Sequence, residues 1–186
     1  SDGEVTDVVR DDQPNIFYDE SGNRLEFNDE EDLDKPILSE RFEIGDKVFS
    51  FISAEELQNA MNAAGKLIYR SGLSGWENFK YKFKYAKKSY YEYDFGFSYI
   101  QGKLGISKAD MGELYWGKGY ISGIPYIRFA SSNTLYNVPD AGNFMWGRKA
   151  SLNNLPKKLM LDAANKNEGG NDTNADLRAI LAGFNF

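Results

Sequence analysis

The chain has 186 residues, 41% apolar and 15% aromatic, enough to bury one core of ordinary size in one domain with an appendage. Cysteine and histidine are both absent, which excludes disulfides, thiolate zinc sites, cysteine nucleophiles, His-based triads, imidazole ribonuclease chemistry and His-rich metal sites. The net charge of −6 hides a division, since residues 1–64 hold 18 acids against 5 bases and residues 65–186 hold 10 acids against 17 bases; either the basic body faces the acidic stretch or an anionic partner such as nucleic acid, lipid or cell wall, or the acidic stretch is simply solvated and has no partner.

No apolar run approaches the roughly 18 residues needed to cross a bilayer, and the first residues are acidic, so neither a membrane span nor a signal peptide is expected. Residues 1–41 read as an acidic leader: DESGNRLEFNDEEDLD is rich in turn formers and acids and suits a linker or a loosely attached hairpin. Order is expected from residue 42 onward, with two short strands flanking a Gly45-Asp46 turn in FEIGDKVFSFI, residues 42–52. A helix over residues 53–64 follows, started by the S-x-x-E capping box of Ser53 and Glu56, carried by Leu57, Ala60, Met61 and Ala64 at helical spacing, and stopped by Gly65.

The middle of the chain changes period. In ENFKYKFKY, Phe79, Tyr81, Phe83 and Tyr85 alternate with Lys80, Lys82 and Lys84; in YYEYDFGFSYI, Tyr91, Tyr93, Phe95, Phe97 and Tyr99 alternate with Glu92, Asp94, Gly96 and Ser98. Strict alternation predicts two strands, paired antiparallel, with lysines opposite carboxylates on one face and rings toward the core on the other. If the rings faced solvent instead, the lysine-flanked row would suit single-stranded nucleic acid or a carbohydrate chain. Further on, Ser107 and Asp110 cap a short helical turn, and residues 114–130 read as a glycine-turned hairpin with Lys118 at its tip between Gly117 and Gly119.

Residues 139–149 read as a helix, with Pro139 and Asp140 as favourable first-turn residues. Ala141, Phe144 and Met145 make a buried stripe, and Asp140, Asn143 and Gly147 make a polar one. A carboxylate and an amide side by side, with a glycine one turn later, either bind or activate a substrate or hold a neighbouring loop. Helices over 155–167, entered at Pro156, and 173–183, with a Thr173/Asp176 capping box, finish the chain. The NEGGNDTNAD stretch between them lacks EF-hand spacing, and neither a metal nor another cofactor is expected. The predicted class is α+β: a twisted antiparallel sheet carrying about four packed helices.

YDESGNRLEFND at 18–29, the GDKVF-to-ISAEELQNA run at 45–60, DAGNFMWG at 140–147 and ADLRAILAGF at 175–184 resemble carboxy-terminal toxin domains of RHS-type and type VI secreted proteins of Bacteroidetes, a group that includes bacterial toxin type 44. The resemblance covers about half the chain and implies a toxin domain at 42–186, secreted, delivered into a competing cell, and neutralised in the producer by a cognate immunity protein. It departs from the group at LDAANKN, residues 161–167, where related tails often carry a histidine and this chain has none. The residues to examine as catalytic are therefore Asp140 and Asn143, with Asp94 as a second carboxylate; two acids can cleave glycosidic bonds. Lys80, Lys82, Lys84 and Lys118 are the candidate binding residues. The functions that follow are a hydrolase acting on the cell envelope, a non-enzymatic toxin that blocks an envelope component, a nuclease and, ranked last, an accessory or immunity-like binding module.

Overall fold

The structure, a computed structural model, describes residues 3–11, 13–29, 36–116, 120–130, 132–167 and 173–186. Its class is α+β. Four strands, β1 (Glu26–Phe27), β2 (Phe49–Ile52), β3 (Tyr126–Phe129) and β4 (Thr134–Tyr136), form one sheet in the order β1-β4-β3-β2. The sheet is mixed rather than antiparallel. Only β3 and β4 run antiparallel, while β1 pairs parallel with β4 and β2 parallel with β3.

Side chains alternate across this sheet, and each face has its own core. Ile52, Ile127, Phe129 and Tyr136 face the helices. Phe27, Phe49, Tyr126 and Leu135 face the N-terminal segment, where Leu25, Ile37 and Val48 join them. The described part of the acidic leader is therefore one layer of the fold, not a loose attachment. A hairpin does form in it, with Tyr18 and Arg24 bridged around the turn at 19–22, but Arg128 of β3 pairs with Asp19 at 3.0 Å and pins it to the sheet. Phe17 meets Phe27 and Phe42 edge to face. At its start, Gly3 (φ +80) lies so close to β2 that a Cβ there would stand 1.9 Å from the Phe49 carbonyl oxygen.

On the helical side, the one-turn α1 (Pro36–Ser39) is followed by α2 (Ala54–Ala63), α3 (Gly75–Tyr91), a π-helical stretch Gly96–Ile100 running into α4 (Gln101–Leu104), then α5 (Lys108–Trp116), α6 (Val138–Leu152), α7 (Lys157–Asn167) and α8 (Asn174–Asn185). The Ser53/Glu56 and Thr173/Asp176 capping boxes form as expected. Ser107 caps α5 through the Asp110 main-chain N–H. Of the two strands expected in residues 42–52, only β2 exists, and Ile44 is exposed in the turn before it.

The expected aromatic ribbon is helical. Residues 75–91 form α3, begun by a second S-x-x-E capping box in which Ser74 accepts from the Glu77 main chain and the Glu77 carboxylate accepts from Ser74. The segment has no β-branched residue, and its lysines and Ala86 suit a helix, although its aromatics and the alternation also fit a strand. In a helix that alternation splits two ways. Tyr85 is fully buried and Tyr81 half-buried on one side, while Phe79 and Phe83 are exposed on the other. The expected hairpin at 114–130 is likewise replaced: α5 extends to Trp116, and β3 turns back into β4 through Ala130. Lys118, its flanking glycines and the loop at 168–172 lie outside the described residues. No helix among the described residues is long and apolar enough to cross a membrane.

Candidate functional site

The polar edge of α6 is built by three segments that are distant in sequence. α6 starts at Asn137, whose side-chain oxygen accepts from the Asp140 N–H at 2.8 Å. With the helix start fixed, the Asp140 carboxylate turns toward the end of β1, where Asn28 Nδ2 donates to it at 2.9 Å. The same Asn28 amide donates to the carbonyl of Ala175 in α8, and the Asn28 carbonyl accepts from the Arg178 guanidinium at 2.6 Å. Asn137 Nδ2 in turn donates to Asp29 at 3.1 Å. One asparagine thus ties the N-terminal layer to the first turns of both α6 and α8.

Asn143, one turn after Asp140 on α6, is engaged by the start of α8. Its amide donates to Asp176 Oδ1 at 2.7 Å, while Asp176 Oδ2 closes the Thr173 capping box. Gly147, expected to leave open space, instead receives the backbone of α8. A Cβ there would lie 2.0 Å from the Ile180 carbonyl oxygen, and one at Gly183 would lie 1.8 Å from that of Phe144. Glycine lets the two helix backbones touch. The third member of the stripe is therefore a packing position.

Burial pushes the Asp140 carboxyl up to about 7; the charges of Asp176 and Asp29 act in the same sense, and the Asn28 amide and Arg178 oppose it. A carboxyl titrating near neutrality is what a general acid needs. Yet Asp140 is only 2% exposed and its oxygen is already engaged by Asn28. Among the described residues, no group of three or more acids is placed to hold a metal ion.

Asp94 belongs to a different place. It precedes the helical turn at Phe95, and its carboxylate accepts from the Phe97 N–H at 3.3 Å, which starts the π-helical stretch. Burial pushes its carboxyl above the usual carboxylate range, and the Phe97 N–H pulls it part of the way back. Asp94 is thus a helix cap, and the charges that bear on Asp140 are those of Asp176, Asp29 and Arg178.

The lysines divide as well. Lys82 is half-buried and pairs with Asp162 of α7 at 3.8 Å. Lys80 and Lys84 are exposed, each near a ring of its own helix: Lys80 Nζ lies 5.5 Å from the centre of Trp76 and Lys84 Nζ 5.9 Å from Tyr81. Two positions escaped the sequence reading. Lys149 is 3% exposed and donates to the Met61 and Ala64 carbonyls at 2.5 and 2.9 Å, closing the C-terminal end of α2; its spacing of four from Met145 was the available signal. Trp76 opens an exposed ring row with Phe79 and Phe83, visible in sequence only once α3 is read as a helix.

No family model matches the chain, and searches of curated proteins and of solved structures return no match.

Proposed function

We propose that this is an antibacterial effector domain that acts in the envelope of a competing cell by binding and blocking a component there, without cleaving a bond. The class rests on the toxin-like tail, DAGNFMWG at 140–147 with ADLRAILAGF at 175–184, which forms the closely packed α6–α8 pair. The observation that carries the non-catalytic reading is that Asp140, Asn143 and Asp94 are each engaged inside the domain by Asn28, Asp176 and the Phe97 main chain. Catalysis needs a group that can meet a substrate atom at hydrogen-bond distance. Export, delivery and a cognate immunity protein follow from the same resemblance.

One observation favours a hydrolase as the second reading: the Asp140 carboxyl titrates near 7. The basic body favours a nuclease as the third. Inducible expression in a susceptible bacterium, with and without an export signal, separates them. Growth arrest only after export is expected. Arrest only from the cytoplasm overturns the envelope reading in favour of a nuclease, and arrest after export that Asp140→Asn abolishes, with the fold intact, favours the hydrolase.

A further inference from the structure

Among the described residues, one face of α3 keeps its rings partly open to solvent. Trp76, Phe79 and Phe83 are 64, 47 and 40% exposed, and at i, i+3 and i+7 they form a single row along the helix. Lone exposed rings are ordinary on protein surfaces, whereas a contiguous row marks an interaction site. Along one flank of the row Lys80, Lys84 and Lys87 are exposed. On the other, Lys166 of α7 lies 4.4 Å from the Phe83 ring centre. The only acid of α3, Glu77, is engaged in the Ser74 capping box, and Asp162 is paired with Lys82.

We infer that this face docks the domain on an anionic phospholipid bilayer, with the three rings entering the headgroup boundary and the lysines meeting phosphates. A row of aromatics between lysines on a helix surface is the arrangement that lies in a membrane interface, because the rings leave water while the long lysine stems keep their ammonium groups in it. The charge of the whole molecule supports the same orientation. Residues 1–41 hold 14 acids against 4 bases, and the described part of that segment covers the sheet face opposite the helices. Of those acids, Glu4, Asp7, Asp11, Asp19, Glu20, Glu26, Asp29 and Glu40 lie in described residues, and Tyr85 of α3 packs in the other core. An anionic surface attracts the α3 lysines and repels these carboxylates.

Ring geometry favours a bilayer over a single-stranded nucleic acid. Bases stack on open ring faces. Here Trp76 stacks on Phe79 at 5.4 Å and 15°, Phe79 meets Phe83 at 4.6 Å and 62°, and Lys80 and Lys166 sit over the two end rings. Trp76 and Phe79 thus cover a face of each other, which leaves fewer ring faces for bases, whereas insertion among acyl chains needs no particular ring face. This inference deepens the binding function proposed above and rests on it for any part in killing, while the docking itself stands on the geometry of α3.

Flotation of the purified full chain with vesicles of phosphatidylcholine alone, or mixed with phosphatidylglycerol, tests it. The chain should bind the mixed vesicles, bind the neutral ones far less, and release as salt rises. Each lysine near an anionic surface is worth about fivefold in partitioning, so Lys80→Gln, Lys84→Gln and Lys87→Gln together should weaken binding roughly 100-fold. Phe79→Ser with Phe83→Ser should weaken it at least about tenfold. Thermal unfolding of each variant establishes that the fold survives, as expected for exposed positions. Equal binding to both vesicles, insensitivity to these substitutions, or tighter binding of a single-stranded oligonucleotide than of mixed vesicles would overturn the inference. Killing after export without vesicle binding sinks the docking and leaves the proposed function standing; vesicle binding without killing does the reverse.

Discussion

The α6–α8 junction and the exposed face of α3 present opposite lessons about where a surface function resides. The junction collects the residue types that chemistry uses, the carboxylates of Asp29, Asp140 and Asp176, the amides of Asn28, Asn137 and Asn143 and the Arg178 guanidinium, and gives each a partner within it. The α3 face carries only rings and lysines, and three of its rings meet solvent. Polar residues gathered at two helix starts are what a buried junction between layers requires, because every main-chain and side-chain polar group sealed from water needs a partner. Exposed rings satisfy no such requirement. Their exposure is the more telling signal.

The contrast is sharpest at Gly147. Replacing it with Val puts a side chain into the Ile180 carbonyl, so α6 and α8 must separate, and a loss of roughly 3 kcal/mol or more is expected in urea denaturation. Asn28→Ala removes the donor shared by Asp140 and the Ala175 carbonyl, leaving both buried acceptors without it; about 2–3 kcal/mol should be lost by the same measurement. Gln58→Ala, at an exposed position of α2, provides the reference for a harmless change.

Asp140 also makes the junction sensitive to pH. Its carboxyl rises from 3.8 to about 7 on folding, so the folded state keeps a proton that the unfolded chain releases. Stability from this group is complete below pH 4 and is lost as pH rises toward 7 and beyond, by up to roughly 4 kcal/mol. Asp140→Asn has no charge to bury and retains an oxygen to accept from Asn28. Chemical denaturation at pH 5 and pH 8 should show the wild type falling relative to Asp140→Asn across this window. A carboxylate open to solvent would give no difference. At the other extreme, Lys84→Gln and Lys87→Gln, at exposed positions of α3, should change stability by no more than about 0.5 kcal/mol each.

Much of the helical layer was legible because its signals are local. The Ser53/Glu56 and Thr173/Asp176 boxes, the Pro139 entry and the apolar spacings of α2, α6, α7 and α8 all lie within a few residues of the elements they define. The sheet was not, since Glu26–Phe27 has only two residues and pairs with Thr134 and Leu135 more than a hundred residues away. The alternation of rings and lysines at 79–85 fits a strand as written. The local competitors were the Ser74/Glu77 box and the lack of β-branched residues, and they decide for a helix. For the site, Asp140 could be placed on a polar stripe, but its burial depends on Asn28, 112 residues distant. Neither spacing nor composition carries that contact.

The central claim, that the Asp140 edge holds the fold and the α3 face meets the target, is tested most directly by paired killing assays. Asp140→Asn and the Lys80, Lys84 and Lys87 glutamine variant are exported into a susceptible bacterium at matched levels, with folding verified for both. The account predicts that Asp140→Asn arrests growth as the wild type does and that the glutamine variant loses most of its effect. Arrest lost with Asp140→Asn and kept with the glutamine variant would contradict it.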